Sequence, residues 1–209
     1  MLRSLSAVSV LALFTAGSAS AAVWTVGPQP SANFFTLRDA VSSVVVMDGD
    51  TIQVSAAGYI GDFDTGAKAL NFAQGPALGI VDVLGNMQVR ANSNLNFQIG
   101  GYNSGLVTGN PEFDQYIVTG NVNYAGKLTV QLINGLTPSL GDSWALIQAG
   151  GTINFSGTTA MPALGGGLSW NVQVVNGSSE FGSGGSSLVA SVVPVKVLPP
   201  TVLGVIAVA

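Results

Sequence analysis

The six residues Asn94–Ile99 read NLNFQI, so an amide side chain alternates with an apolar one at every step. Lys127–Leu132 (KLTVQL) repeats the pattern, with Leu128, Val130 and Leu132 at its apolar positions. Successive side chains of a β-strand point to opposite faces of a sheet. The period of two therefore predicts strands that bury one face and expose the other.

Short runs of the same kind recur along the chain, separated by glycine and asparagine residues. Runs bounded by such turn-forming residues are typical of strands, so we expect an all-β protein. The predicted strands lie near Thr51–Val54, Ala69–Phe72, Ile80–Val83, Gln88–Arg90, Leu95–Ile99, Gln115–Val118, Lys127–Leu132, Ser143–Gln148, Leu168–Val174 and Ser187–Val193.

The composition excludes several classes of function. Only 8% of the 209 residues are charged, against about 25% in an average soluble domain. Cysteine and histidine are both absent from the sequence, which excludes disulfides, thiol nucleophiles, imidazole metal sites and Ser-His-Asp catalysis. Six basic residues against ten acidic ones leave no basic stripe, so no nucleic-acid partner is expected.

Two all-β architectures fit these strands, a β-solenoid and a β-sandwich. The low charge and the abundance of Asn, Ser, Thr and Gly favour the solenoid, whose stacked coils are covered by such side chains. At about 20–25 residues a coil, the chain would form roughly seven coils. A solenoid that ends in a sandwich-like section is a further alternative.

One helix is predicted over Phe35–Val45, with Thr36 as its N-cap. An amphipathic helix at this place can cover the open edge of the first coil of a solenoid. The apolar residues that share one face at helical spacing are Leu37, Val41, Val44 and Val45.

The two ends of the chain differ from its middle. Residues 1–21 have the features of a secretory signal peptide: a basic residue at Arg3, an apolar run over Leu5–Ala16, and small residues at Ala19–Ala21. We therefore expect a protein that is secreted or lies at the cell surface. Residues 194–209 form an apolar tail too short for a membrane helix, and membrane contact is expected only through this tail.

The first part of the chain resembles a known family. Trp24–Val26 (WTV), Phe35–Val41 (FTLRDAV) and Gly49–Tyr59 (GDTIQVSAAGY) resemble the opening of pectate-lyase-like β-helix proteins. The resemblance implies a right-handed parallel β-helix, with a capping helix near its N-terminus. The domain is then expected to span residues 22–193, with a capping coil over 22–72 and a body over 73–193.

The second part resembles the autotransporter-associated β-strand proteins of bacteria, many of which end in a PEP-CTERM sorting tail. The matching segments are Phe113–Val122 (FDQYIVTGNV), Gly126–Val130 (GKLTV), Gly141–Ile147 (GDSWALI) and Leu164–Trp170 (LGGGLSW). Val192–Val195 (VVPV) stands where such a tail has VPEP, so residues 194–209 resemble a degenerate sorting signal.

The densest acidic cluster is the candidate metal site. Carboxylates around glycine turns supply the oxygen ligands that calcium prefers, and calcium is the one cofactor considered. Asp side chains in such turns also bond nearby backbone amides, which is the alternative interpretation. The four carboxylates are Asp48, Asp50, Asp62 and Asp64.

Catalysis is not expected, although two carboxylate pairs have the spacing that brings residues i and i+2 to one face of a strand. The pairs are Asp62 with Asp64 and Glu112 with Asp114, and a glycoside hydrolase uses two carboxylates. Basic residues that would position a substrate are scarce, so no catalytic residue is assigned.

Aromatic side chains supply a candidate for ligand contact. Tyr102 lies in the glycine-rich stretch Gly100–Gly105 and is the aromatic residue expected to be most exposed. A flat ring with a polar end can stack on a sugar. Trp144 and Trp170 lie in apolar strand runs and are expected in the core.

These features together favour a structural or adhesion-type scaffold without catalytic activity, secreted or at the cell surface. A polysaccharide-binding or polysaccharide-degrading module is the alternative. A surface or matrix polysaccharide and a second copy of the chain are the expected partners, since an uncapped solenoid end can pair with a neighbour.

Overall fold

The computed structural model describes residues 20–54, 59–75, 77–106, 109–178 and 180–196. The predicted signal peptide, except for its last two residues, and the tail beyond Lys196 lie outside the described residues. Strands account for 47% of the chain and helix for 4%, which confirms an all-β fold. No helix within the described ranges has the length and apolar character that crossing a membrane requires.

The described residues form one short helix and sixteen strands. In chain order the elements are β1 (Val23–Val26), α1 (Leu37–Ser42), β2 (Thr51–Val54), β3 (Tyr59–Ile60), β4 (Phe63–Asp64), β5 (Asn71–Gln74), β6 (Ile80–Val83), β7 (Met87–Val89), β8 (Asn94–Ile99), β9 (Gln115–Val118), β10 (Val122–Tyr124), β11 (Lys127–Leu132), β12 (Ser143–Ala149), β13 (Ile153–Phe155), β14 (Thr158–Ala160), β15 (Leu168–Ser178) and β16 (Gly182–Pro194).

The strands form three sheets. Sheet A has the order β1-β2-β5-β8-β11-β14, sheet B the order β3-β6-β9-β12-β16-β15, and sheet C the order β4-β7-β10-β13. From β2 to β13 the chain visits sheets A, B and C in turn, and neighbouring strands of successive coils are parallel. This arrangement is a β-solenoid of about four turns, the architecture that the low charge and the abundance of Asn, Ser, Thr and Gly favoured over a β-sandwich.

The number of coils is smaller than the expected seven because the later coils are longer and because β15 and β16 form an antiparallel hairpin instead of further coils. The sheet A ladder pairs Thr51, Asn71, Asn94, Lys127 and Thr158 in succession. The coils therefore advance by 20, 23, 33 and 31 residues. The extra residues of the last two coils lie in loops between sheets A and B.

The apolar residues of each coil point inward and stack in register on those of the next. In sheet A, Ile52, Phe72, Leu95 and Leu128 form one continuous buried ladder. In β8 the amide residues are partly exposed while the apolar ones are buried, as the alternation predicted. Burial of this continuous apolar surface is the main force that holds the coils together.

Helix α1 packs against β1 and β4 at the N-terminal end of the solenoid. Thr36 is its N-cap, as predicted, and Thr36 Oγ1 accepts a hydrogen bond from the Asp39 N–H at 3.1 Å. The predicted extension to Val45 is wrong, because Ser43 is extended and Val44 is 90% exposed. β-Branched residues lose side-chain freedom in a helix, so the valine run does not prolong it.

The C-terminal end departs from parallel stacking. Strands β15 and β16 form an antiparallel hairpin, and β16 adds antiparallel to β12. Sheet B thus continues beyond the last parallel coil. Both strands are longer than predicted, and β16 includes Pro194, which the sequence placed in the apolar tail.

Candidate functional site

An exposed aromatic ring lies at the corner between sheets A and B. Tyr102, in the loop after β8, stacks on Trp144 of β12, with ring centroids 5.6 Å apart and planes 19° from parallel. Tyr102 is 54% exposed and Trp144 is buried in the core, as predicted, but the expectation that Tyr102 is the most exposed aromatic residue is wrong, since Phe35 is 74% exposed. The Trp144 Nε1–H donates to the Gly101 carbonyl oxygen at 2.8 Å, so the buried indole fixes the loop beneath the exposed ring.

Two carboxylates hold Tyr102 in place. The Tyr102 hydroxyl donates to Asp142 Oδ2 at 2.9 Å, and this hydrogen bond raises the pKa of the hydroxyl. The backbone N–H groups of Tyr102 and Asn103 donate to Glu112 Oε2 at 2.9 and 3.1 Å. We call Tyr102, Glu112, Asp142 and Trp144 the Tyr102 platform. Its ring is fixed before any ligand arrives, which lowers the entropy cost of binding.

The second surface of interest is the outer side of sheet A, which carries a ladder of amide and hydroxyl groups. Asn94 Nδ2 donates to Asn71 Oδ1 at 3.2 Å and to Asn96 Oδ1 at 3.3 Å. The Thr129 hydroxyl donates to Asn94 Oδ1 at 2.8 Å. We call this surface, with Asn71, Asn94, Asn96, Thr129 and Gln131, the amide face. It links three successive coils through side chains.

A groove of about 350 Å³ runs along the amide face and is lined by polar side chains. Gln74 and Gln98 line it, and their Oε1 atoms are buried without a hydrogen-bond partner among the described residues. Acceptors of this kind favour a ligand that brings hydrogen-bond donors, such as the hydroxyls of a sugar. The sequence pattern does not predict this groove, because it places Gln98 on a solvated face and makes no prediction for Gln74, which lies beyond the predicted strand Ala69–Phe72.

Asp114 lies at the same groove and is buried at 1% exposure. Its carboxylate accepts hydrogen bonds from the backbone N–H of Gln98 at 2.8 Å and of Gly79 at 3.3 Å. Burial outweighs these bonds and raises the pKa of Asp114 to about 7. Glu112, the other member of the carboxylate pair, is exposed and bound to the loop amides of the Tyr102 platform.

The first half of the candidate calcium cluster serves the turn before β2. Asp50 is buried, accepts from Ala22 N–H and Trp24 Nε1–H at 2.8 Å, and accepts from Met47 N–H at 2.9 Å. The Met47 hydrogen bond is the largest of several causes that lower the pKa of Asp50. Asp48 accepts from a backbone N–H of the next coil, so both carboxylates act in turn chemistry.

The second half of that cluster lines a hollow of about 540 Å³ between α1 and β4. Asp62 Oδ1 accepts from Asn86 N–H at 2.7 Å. Asp64 pairs with Arg90 through Nε at 2.8 Å and Nη2 at 2.7 Å, which lowers the pKa of Asp64. Asp48 and Asp50 do not line this hollow.

The described residues contain no group of three acidic side chains close enough to hold a metal ion. The four carboxylates of the calcium hypothesis therefore do not form one site. A calcium titration followed by thermal unfolding tests it directly, because an ion bound by the folded state alone raises the melting temperature.

The comparisons with known proteins add no identification. No protein-family model matches the sequence, and no curated protein is significantly similar to it. The resemblances to pectate-lyase-like and autotransporter-associated proteins stay predictions. The class that the structure defines is a short parallel β-solenoid with an exposed aromatic platform and an amide-rich outer face.

Proposed function

We propose that this chain is a secreted or cell-surface adhesion scaffold without catalytic activity, and that the amide face makes its contacts. The observation that carries the proposal is the side-chain ladder from Asn71 through Asn94 to Thr129. These groups are fixed by the coils beneath them, so several can engage a hydroxyl-rich polymer at once. Weak contacts on one rigid face then combine into useful adhesion.

The charge distribution supports contact with a polymer of little charge. Within the described ranges Arg90 and Asp64 form the one ion pair, and it lies on sheet C. The five residues of the amide face are uncharged, and Lys127 at the start of β11 and the buried Asp114 of the groove lie beside them. Amide and hydroxyl groups bond sugar hydroxyls as both donors and acceptors. A surface or matrix polysaccharide is accordingly the proposed partner, and calcium is not required.

The second candidate is a specific polysaccharide-binding module, with the alternative that it also degrades its ligand. The observation that favours it is the Tyr102 platform, where an exposed ring lies beside two carboxylates. Stacking on an aromatic face together with hydrogen bonds to carboxylates is a common way to hold a sugar ring.

The test compares matched variants for retention on an immobilised extracellular polysaccharide. Gln131→Arg places a bulky charge on the exposed amide face, and Gln173→Arg places the same group on exposed β15 of sheet B. The scaffold proposal expects loss of retention for the first variant alone. Equal retention of the two variants would contradict it.

Tyr102→Ala separates the two candidates. If binding resides at the platform, this variant loses retention, and a free oligosaccharide competes with the immobilised polymer. If binding resides on the amide face, Tyr102→Ala retains most of its affinity. Release of reducing sugars by the unmodified chain, measured in the same samples, would support the degrading alternative and contradict the absence of catalysis.

A further inference from the structure

The longest open strand edge lies at the C-terminal end of sheet B. Strand β15 has β16 on one side and no strand on the other in the described part of the chain. It is 11 residues long, whereas the edge strands β3, β4, β13 and β14 have two or three residues. At the other end of the solenoid, the Phe34 N–H donates to the Thr25 carbonyl at 3.0 Å and occupies the edge of β1.

The hydrogen-bond register identifies the backbone groups on this open edge. The Val195 N–H donates to the Gly167 carbonyl at 2.7 Å, so the pair formed by these two residues is hydrogen-bonded. Hydrogen-bonded and non-bonded pairs alternate along an antiparallel ladder. The N–H and C=O groups of Trp170, Val172 and Val174 therefore point away from β16, toward the open side.

Strand β15 lacks the features that usually protect an edge. Its sequence, LSWNVQVVNGS, contains no charged residue and no proline. Its register with β16 is regular from Leu168 to Asn176, and the first irregularity follows Asn176. Natural edge strands avoid pairing through charges, prolines, bulges or short length. Among the described residues, this edge is thus open to pairing with another strand.

The side chains at the edge are also incompletely covered. Trp170, Val172 and Val174 lie opposite buried residues of β16, on the face that points to the core. Trp170 and Val172 are only partly buried, and Val174 is 37% exposed. A strand added at the edge would cover this apolar row.

We propose that β15 pairs with β15 of a second copy of this chain, antiparallel, with Val172 opposite the second copy's Val172. Trp170 then lies opposite the second copy's Val174, and Val174 lies opposite the second copy's Trp170. The apolar row of each copy is thus covered by the row of the other. Each of the three residue pairs exchanges two backbone hydrogen bonds, about six in all. Aromatic and β-branched pairs across strands are favourable.

The second copy is the occupant because the edge is complementary to itself. A two-fold axis through Val172 matches every outward N–H of this segment with an outward C=O of its partner. Such a pairing is isologous and closed, so it yields a dimer and no fibre. The dimer doubles sheet B end to end. It does not depend on the proposed adhesion role.

The test uses charge at the two-fold axis, measured by sedimentation velocity across a concentration series. Val172→Lys and Val172→Glu each bring like charges together, and each is expected to raise the dimer dissociation constant at least about tenfold. An equimolar mixture of the two is expected to dimerise again. Gln173→Lys carries the same charge on the opposite face and is expected to dimerise like the unmodified chain.

Folding of each variant is checked by circular dichroism, so that unfolding is not mistaken for loss of pairing. Two folded variants that dimerise as well as the unmodified chain would overturn the proposal. So would a mixture that remains monomeric.

Two single-cysteine variants test the register without adding charge. Any disulfide must then link the introduced cysteines of two copies, because the chain contains no cysteine of its own. Val172→Cys places two thiols on facing residues, at a Cα separation of about 5.5 Å that a disulfide can bridge. Asn176→Cys places them eight residues apart along the strands, about 27 Å. Oxidation is expected to link the first variant and not the second. Linkage at position 176 alone would overturn the register.

Hydrogen exchange distinguishes a second copy from a segment of the same chain. The amides of Trp170, Val172 and Val174 are expected to exchange slowly at concentrations where the dimer forms and fast after dilution. Slow exchange of these amides in the dilute monomer would show that the chain covers its own edge, and would overturn the proposal.

Discussion

The buried carboxylate of Asp114 is expected to make the free energy of unfolding depend on pH. The group is 1% exposed, and burial raises its pKa from 3.8 to about 7. In the unfolded chain an Asp has a pKa of about 3.9. The folded state therefore binds this proton more tightly than the unfolded state. Stability from this group is greatest below pH 4 and is lost as the pH rises toward 7.

The magnitude follows from the difference between the two pKa values. A shift of about three units at about 1.36 kcal/mol per unit corresponds to about 4 kcal/mol of stability lost between about pH 4 and pH 7. Asp114→Asn removes the charge and keeps the shape. It also loses one of two backbone hydrogen bonds, at Gln98 or Gly79, which costs about 1 kcal/mol. We expect the variant to gain roughly 2–3 kcal/mol at pH 8.

The assay is urea unfolding at several values between pH 4.5 and 8. This range stays above the depressed pKa values of Asp50 and Asp64, whose contributions are lost only in more acid solution. Burial also raises the pKa of Asp82, so this group lowers stability with rising pH in the same direction. Asp82→Asn is therefore the matched control that measures its share of the slope. A stability that rises with pH over this range would contradict the raised pKa of Asp114. An Asp114→Asn variant that keeps the slope of the unmodified chain would contradict it too.

Three further substitutions test the packing, the ion pair and the loop. Phe97→Ala, in the core of β8, is expected to lower the free energy of unfolding by about 3–5 kcal/mol in urea titrations, since it leaves a cavity. Asp64→Ala breaks the exposed pair with Arg90 and is expected to cost less than about 1 kcal/mol in the same titrations, an effect that salt should abolish. Gly101→Ala puts a Cβ against a loop carboxylate and should shift the Trp144 fluorescence, whereas Gly165→Ala meets nothing within 4 Å and should not.

Regular alternation explains why several strands could be predicted to the residue. Thr51–Val54, Ile80–Val83, Gln115–Val118 and Lys127–Leu132 have the predicted bounds. The alternation accounts for Thr51–Val54 and Lys127–Leu132. All four residues of β9 are buried, so its bounds follow from its β-type residues and not from a period of two. The very short strands β3, β4, β10, β13 and β14 carry no period and are not predicted, whereas the three-residue strand β7 is predicted one residue late, at Gln88–Arg90.

The helix shows where a periodic pattern misleads. Leu37 and Ala40 form its buried side, while Val44 and Val45 lie beyond its end and are exposed. Helical spacing alone did not reveal that Ser43 leaves the helix. A backbone change at one residue rotates every later side chain away from the predicted face.

Half of the candidate site could be anticipated. The exposure of Tyr102 followed from its glycine-rich neighbours, and the burial of Trp144 followed from its apolar strand. The groove at Gln74 and Gln98 could not, since its walls come from residues on different coils. The sequence around a glutamine does not show which residues of other coils cover its side chain.

The proposed adhesion is tested most directly by the dissociation constant of the chain for a film of neutral polysaccharide, measured with Gln131→Arg and Gln173→Arg side by side. The substitutions are identical in chemistry and differ in the sheet that carries them. Binding is expected to be at least about tenfold weaker for Gln131→Arg and unchanged for Gln173→Arg. Equal dissociation constants for the two variants would contradict it.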